Sequence, residues 1–324
     1  MKILLWHVHG AWSTAFVHGR HEYVVPVLPD RSADGRGIAR TYAWPPRVTE
    51  RTPAALRDEP FDIVVLQRPH ELEHLCEDWT GRRPGRDVPA IYVEHNAPHG
   101  RISEMRHPAA GRDDLLIVHV THFNALFWDA DGTETRVVEH GVVDPGRRYT
   151  GELARAVAVI NEARRRGRVT GTDLLAHFAG AAPIDLFGLD AGRASASVTG
   201  IEDLPQDELH TEMARRRVYL HPVRWTSLGL SLIEAMHLGL PVVALGTTEA
   251  YEAVPADAGV VSTRLDVLST ALRRLVLDPE EAAARGRAAR TAALERYGLR
   301  RFHADWDQVL AAWTGSARVS EVAR

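Results

Sequence analysis

The sequence predicts an α/β protein built from two parallel-sheet units. Three observations carry that prediction. Short apolar runs rich in β-branched residues recur along the chain, near-continuous rather than alternating, which is the pattern of strands buried on both faces. Helical sequence separates them, as parallel crossover connections require. A length of 324 residues also accommodates two domains at about 150 residues each.

Taken in order, residues 2–8, 61–66, 89–93, 115–120 and 135–138 read as strands of a first unit. The pattern restarts at 154–160, with a helical stretch at 173–178 and further strands at 184–189, 217–220 and 241–245. Between the two sets, Asp144-Pro145-Gly146 carries turn chemistry suited to a linker. The expected division is therefore a first domain 1–146, a second domain 147–298, and a terminal helix and tail 299–324. Asp278-Pro279-Glu280-Glu281 has the cap, first-turn proline and acids of a helix start. Residues 300–313 pattern as a final amphipathic helix.

Composition excludes several classes of function. Hydrophobic residues make up 45% and charged residues 25%, enough for a sizeable core and unlike a disordered chain. Lys+Arg of 39 against Asp+Glu of 43 leaves no surplus positive charge for a phosphodiester backbone, so nucleic acid is not an expected partner. Lys2 is the only lysine, which removes the Walker A lysine, the kinase strand lysine and a pyridoxal phosphate Schiff base. Any phosphate clamp must be built from arginine. Cys76 is the only cysteine, so an internal disulfide, a cysteine zinc site and a protein-held iron–sulfur cluster are out, which fits a reducing cytoplasm. Residues 1–6 are too short for a signal peptide, and no stretch approaches about 18 apolar residues. The expectation is a cytoplasmic chain without stable membrane insertion, peripheral to the inner membrane face at most.

Residues 218–246 carry the chemistry. A strand ends at His221-Pro222, a Thr/Ser/Gly loop follows, a helix runs over 230–238, and Gly239 closes it before the next strand. The loop sets Thr226, Ser227 and the amides of Leu228, Gly229 and Leu230 at a helix N-terminus, where unpaired donors and the dipole favour an anion such as a diphosphate. Glu234 lies about one turn further in, on an otherwise apolar helix. A carboxylate there must be paired or accept hydroxyl hydrogen bonds, and vicinal ribose hydroxyls would satisfy it.

This segment resembles the donor-site signature of retaining glycosyltransferases of family 4, the group 1 glycosyl transferases. Their pattern runs from a Pro-Ser loop through Glu-Gly-Phe-Gly-Leu to Glu-Ala-Met and Gly-x-Pro-Val-Val. Gly229, Leu230, Glu234, Ala235, Met236, Gly239, Pro241, Val242 and Val243 fall in register, while Thr226 stands where the first glutamate of the family pair belongs. Two looser matches extend the similarity. Residues 138–144 resemble the family's Asn-Gly-Val-Asp junction, and Gly171 and Asp173 match its Lys-Gly-x-Asp loop. Thr170 stands at the lysine position, so the resemblance assigns the diphosphate grip to Arg168, with Arg165 or Arg164 as the partner arginine and Thr172 beside them. Guanidinium groups suit bidentate phosphate binding.

In the first half, Gly10 occupies the position of the family's glycine loop, where a missing side chain admits close backbone approach. By the same resemblance His95, at the end of a strand, faces the donor sugar. The implied architecture is GT-B: two Rossmann-like domains facing across a cleft, the first on the acceptor side and the second holding the donor, with the last helix crossing back to the first. The implied activity is a retaining, hexosyltransferase-type transfer (EC 2.4) from a nucleotide-diphosphate sugar to an unknown acceptor hydroxyl, with no metal and no further cofactor. His95, Arg165, Arg168 and Thr226 would be catalytic. Gly10, Arg164, Thr172, Ser227, Leu228, Gly229, Leu230 and Glu234 would bind the donor.

Two rivals accompany this expectation. Thr226 in place of a glutamate, with no lysine in the clamp, suits a GT-B protein that binds a nucleotide sugar without transfer, or an epimerase. His70-Glu71-Leu72-Glu73-His74 is a literal HExxH, the zinc peptidase signature, although Glu73 places an acid where such motifs are uncharged.

Overall fold

The computed structural model describes residues 1–39, 41–193, 195–202 and 204–322. The chain forms two compact units: residues 1–141 together with the helix Leu299–Val322, and residues 142–298.

The first unit contains a seven-stranded parallel sheet of β1 (Lys2–Leu5), β2 (Glu22–Pro26), β3 (Val48–Arg51), β4 (Ile63–Leu66), β5 (Ala90–Glu94), β6 (Leu116–His119) and β7 (Glu134–Val137). The strand order is β3-β2-β1-β4-β5-β6-β7. β4, β5 and β6 are buried along their whole length, because helices cover both faces of a doubly wound sheet. Near the edges the requirement relaxes, and β3 and β7 are partly polar.

The second unit contains a six-stranded parallel sheet of β8 (Leu153–Val159), β9 (Ile184–Phe187), β10 (Thr199–Ile201), β11 (Arg216–His221), β12 (Val242–Leu245) and β13 (Gly259–Ser262), in the order β10-β9-β8-β11-β12-β13. The pleat sorts its side chains to two core layers: Val242 and Ala244 pack with Leu232, Met236 and Tyr297, whereas Val243 and Leu245 pack with Phe178, Leu186 and Leu272. The order in which successive strands are added reverses side between β1 and β4 in the first sheet and between β8 and β11 in the second. At such switch points the loops diverge and leave a crevice beyond the carboxyl ends of the strands.

The boundary between the units lies at Gly141–Val142, ahead of the Asp144-Pro145-Gly146 turn that the sequence marks as a linker. Val142 donates its amide to the Tyr297 carbonyl at 3.0 Å, and Asp144 is paired with Arg290 at 2.8 Å. These bonds tie residues 142–146 to the second unit. The terminal helix Leu299–Val322 lies on the first: Phe302, Trp306 and Leu310 are buried one turn apart, Trp306 packs edge-on to Phe16 at 4.9 Å, and His303 Nε2 meets the Ala15 carbonyl at 2.8 Å.

The helix start at Asp278 forms as its sequence implies, with the side chain accepting from the amides of Glu280 and Glu281 at 3.0 and 2.9 Å. The stretch 173–178 differs: a 3-10 turn at Thr172–Leu174 precedes a short helix Leu175–Ala179, since Gly171 holds a left-handed φ of 73° at its start. Among the described residues, no helix is long and apolar enough to cross a membrane.

Candidate functional site

In the second unit the switch-point crevice is framed by the loop after β8 and the loop after β11, and these two loops are fastened together. Arg224 and Trp225 donate their amides to the Val169 carbonyl at 2.9 and 3.1 Å. Arg224 makes a bidentate pair with Asp173 at 2.5 and 3.0 Å and also reaches the Arg168 carbonyl at 2.9 Å. Gly171 lies directly under Pro222, close enough that any Cβ would overlap its carbonyl oxygen. Thr172, buried, donates its hydroxyl to the Ala163 carbonyl at 2.8 Å and meets Thr170 Oγ1 at 3.1 Å, so it braces the loop from inside.

The arginines singled out by sequence line this loop. Arg165 is exposed and pairs with Glu162, its Nε 2.9 Å from Oε1. Arg168 is exposed and pairs with Asp173 at 3.3 Å, sharing that carboxylate with Arg224. Arg164 is exposed on the same turn. Exposed ion pairs of this kind are worth under about 1 kcal/mol each, so a multiply charged diphosphate can displace the carboxylates from these guanidinium groups. Arg224 is the member the sequence analysis missed. Its signal was its place, immediately beyond the carboxyl end of a buried strand.

After β11 the chain passes through half-buried Thr226 and buried Ser227 into the helix Leu230–Leu238. Its N-cap is Gly229 with extended backbone, and no side chain caps it. Neither Thr226 nor Ser227 caps the helix through its side chain. Of the first-turn amides, Leu232 donates to the Gly229 carbonyl at 3.0 Å, and those of Leu230 and Ser231 precede the first intrahelical bond. The Leu228 side chain joins the apolar core, leaving its backbone to the loop. Gly229 packs against the His221 ring, where a Cβ would stand 2.8 Å from Cε1. Glu234 is buried on this helix. Its Oε1 accepts from Gln206 Nε2 at 3.1 Å, and His210 Nε2 lies 3.7 Å from Oε2. Among the described residues, that one neutral donor leaves most of the carboxylate's acceptor capacity for a ligand.

In the first unit, the carboxyl ends of β1, β4 and β5 bring His9, Gln67 and His95 together. The His9 and His95 rings lie 4.0 Å apart, and Trp12 stands edge-on to His95 at 4.9 Å. Burial is the main cause that holds these imidazoles neutral: His9 is pushed down to about 4, His140 to about 3, and His95 well below the usual histidine range. Gln67 donates Nε2–H to the Trp6 carbonyl at 2.7 Å and turns Oε1 to His95 Nε2 at 3.0 Å. Gln67 was also missed by sequence reasoning, again a polar residue just past a buried strand. Gly10 starts the helix Gly10–Val17, and its open face lies beneath the Tyr42 ring, where a Cβ would stand 2.9 Å from Cε2.

The HExxH stretch does not assemble a metal centre. Glu71, which would be the general base, is fully buried and accepts from the Gln67 amide at 2.6 Å and from Arg68 Nε at 2.7 Å. His70 and His74 project to solvent with ring centroids 5.7 Å apart. Among the described residues, no three histidine, cysteine, aspartate or glutamate side chains converge to hold a metal ion.

Residues 191–292 match the family model described as glycosyl transferases group 1. The fold is similar to sucrose-phosphate synthase from Thermosynechococcus elongatus, at a TM-score of 0.75 and 13% identity over 98% of this chain and 100% of that one. It is also similar to Anabaena HepE in complex with UDP, at 0.65 and 14% over 96% and 100%, and to a glycosyltransferase from Rickettsia africae, at 0.64 and 13% over 96% and 98%. No curated protein matches the sequence. The architecture is GT-B, and the segment that matches the group 1 glycosyl transferase model lies in the second unit and contains the motif that carries the resemblance.

Proposed function

We propose that this GT-B chain, with its group 1 glycosyl transferase segment, is a retaining glycosyltransferase of the hexosyltransferase type. It takes a nucleotide-diphosphate sugar and an acceptor hydroxyl, and it works without a metal ion. The observation that carries this proposal is the pairing, on one short helix, of uncapped first-turn amides with a buried carboxylate, Glu234. The amides suit a diphosphate and the carboxylate suits vicinal ribose hydroxyls about one turn away.

In this reading Arg165 and Arg168, with Arg164 beside them, neutralise charge that grows on the departing diphosphate, together with the Gly229 and Leu230 amides. Preorganised donors aimed at developing charge usually supply more of the rate enhancement than any other single effect. Arg224 and Thr172 hold the loop that presents those arginines. In the first unit, the family resemblance assigns Gly10 to donor binding and His95 to orienting the donor sugar. Thr226 and Ser227 offer hydroxyls where a glutamate would otherwise meet the sugar, which favours a donor recognised by hydroxyl contacts. The chain acts in the cytoplasm. The HepE structure, solved with UDP, makes uridine the first base to try.

Thr226 also supports a second reading, in which the same site binds the nucleotide sugar without transferring it. Incubation with nucleotide sugars and a set of acceptors, followed by chromatography of released nucleoside diphosphate, tests the proposal. Diphosphate release that depends on acceptor supports transfer. Tight binding with no release across the acceptor set supports the second reading.

A further inference from the structure

Gln67 decides which nitrogen of His95 carries the proton. Its amide orientation is imposed by the backbone: Trp6 O, 2.7 Å from Nε2, is an acceptor only, so the flipped amide would set two oxygens against each other. Oε1 must therefore face His95 Nε2, 3.0 Å away, and that nitrogen must donate. In the neutral ring Nδ1 is then left as the acceptor. The Gln67 backbone is itself fixed, since its amide donates to Glu71 Oε2 at 2.6 Å while Arg68 holds Oε1 at 2.7 Å. The glutamate of the HExxH stretch thus anchors this arrangement. The ring plane is fixed by His9 on one side and Trp12 on another.

We infer that Gln67 is a positioning residue that presents His95 as a hydrogen-bond acceptor, and that the sugar bound there is a neutral one offering a hydroxyl, not a uronic acid. The inference rests on the proposal that His95 meets the donor sugar. A hydroxyl can donate to the bare Nδ1, whereas a carboxylate would bring acceptor against acceptor in a buried setting, a costly mismatch. No imidazolium stands nearby to offset it, because His9 and His140 are also held neutral by burial. Two guanidinium groups are felt at His9: Arg36, which is exposed and reaches the Val8 carbonyl at 3.5 Å, and Arg68, which is committed to Glu71 and Asp34. Neither is among the causes acting at His95.

The test uses the full chain and two readouts. Imidazole nitrogen shifts in histidine-labelled protein, with His95→Gln identifying the signal, report the tautomer without any sugar. Calorimetry compares UDP-glucose with UDP-glucuronic acid, and the matching ADP and GDP pairs, in wild type and Gln67→Glu. The expected results are an Nε2–H tautomer for His95 and at least a tenfold preference for the neutral sugar. Gln67→Glu places a carboxylate against the ring, favours the imidazolium and turns Nδ1 into a donor. It also sets an oxygen against the Trp6 carbonyl, so a thermal melt first establishes that the variant is folded. The preference should then shrink about tenfold while affinity for the bare nucleoside diphosphate is unchanged. An Nδ1–H tautomer, or equal binding of both sugars by wild type, overturns the inference and leaves the donor-site proposal standing. Failure of every nucleotide and nucleotide sugar to bind overturns that proposal and this inference with it.

Discussion

Gly171 sits against the carbonyl oxygen of Pro222 with no room for a Cβ, at a left-handed φ of 73°. That contact draws the loop after β8 onto the loop after β11 at the switch point, where the diphosphate site is proposed. Alanine at 171 would meet both the overlap and the cost of left-handed backbone, at least ~1 kcal/mol for the backbone alone. Gly171→Ala should lower the melting temperature and weaken nucleoside diphosphate binding together. A variant with full stability and affinity would show that the two loops need not be fastened.

Arg168 and Arg224 share Asp173, but they do so differently. Arg224 is bidentate and half-buried, whereas Arg168 is exposed and held at one point. Arg168→Ala should therefore leave stability near wild type and reduce nucleoside diphosphate affinity about tenfold, the scale of one charged hydrogen bond. Arg224→Ala should lower both. Titrations at two salt concentrations with thermal melts check this, and unaltered affinity in Arg168→Ala would remove that residue from the clamp.

The buried imidazoles of the first unit predict a pH dependence of stability. His9 has its folded pKa pushed down to about 4, chiefly by burial, with Arg36 and Arg68 adding to the effect. Unfolded histidine takes its proton near 6.5, so between 6.5 and about 4 the unfolded state binds more protons and stability falls with pH. The loss should begin below pH 6.5, above the range where carboxylates titrate, at about 1 kcal/mol per such histidine by pH 5.5. Denaturant unfolding at pH 7.5, 6.5 and 5.5 measures it. His9→Gln should flatten the slope; an equal slope in that variant would contradict the account.

How much of this was legible in sequence follows from what each element must bury. β4 and β12 read as strands because both faces are covered and every position is apolar, and β5 departs from that only at Glu94, its last residue. β3, with its Val-Thr-Glu-Arg sequence at a sheet edge, carries no such constraint, and it left no apolar run to read. The HExxH stretch looked like a metal site because spacing along a helix is visible in sequence, whereas the Gln67 amide and Arg68 that occupy Glu71 are not. Gln67 and Arg224 were missed for the related reason that their roles come from contacts 28 and 51 residues away. The helix Leu230–Leu238 was legible because its glycines, glutamate and closing turn are all local.

The central claim is that the second unit holds a nucleotide-diphosphate sugar through the helix Leu230–Leu238, with Glu234 on the ribose. The most direct measurement is calorimetry of nucleoside diphosphates and their sugars against wild type and Glu234→Ala, without added metal. The account predicts selective binding to one base, weakened at least tenfold in the variant, with the 2′,3′-dideoxy nucleotide binding wild type no better than the ribonucleotide binds Glu234→Ala. Binding of no nucleotide, or binding that Glu234→Ala leaves intact, would contradict it.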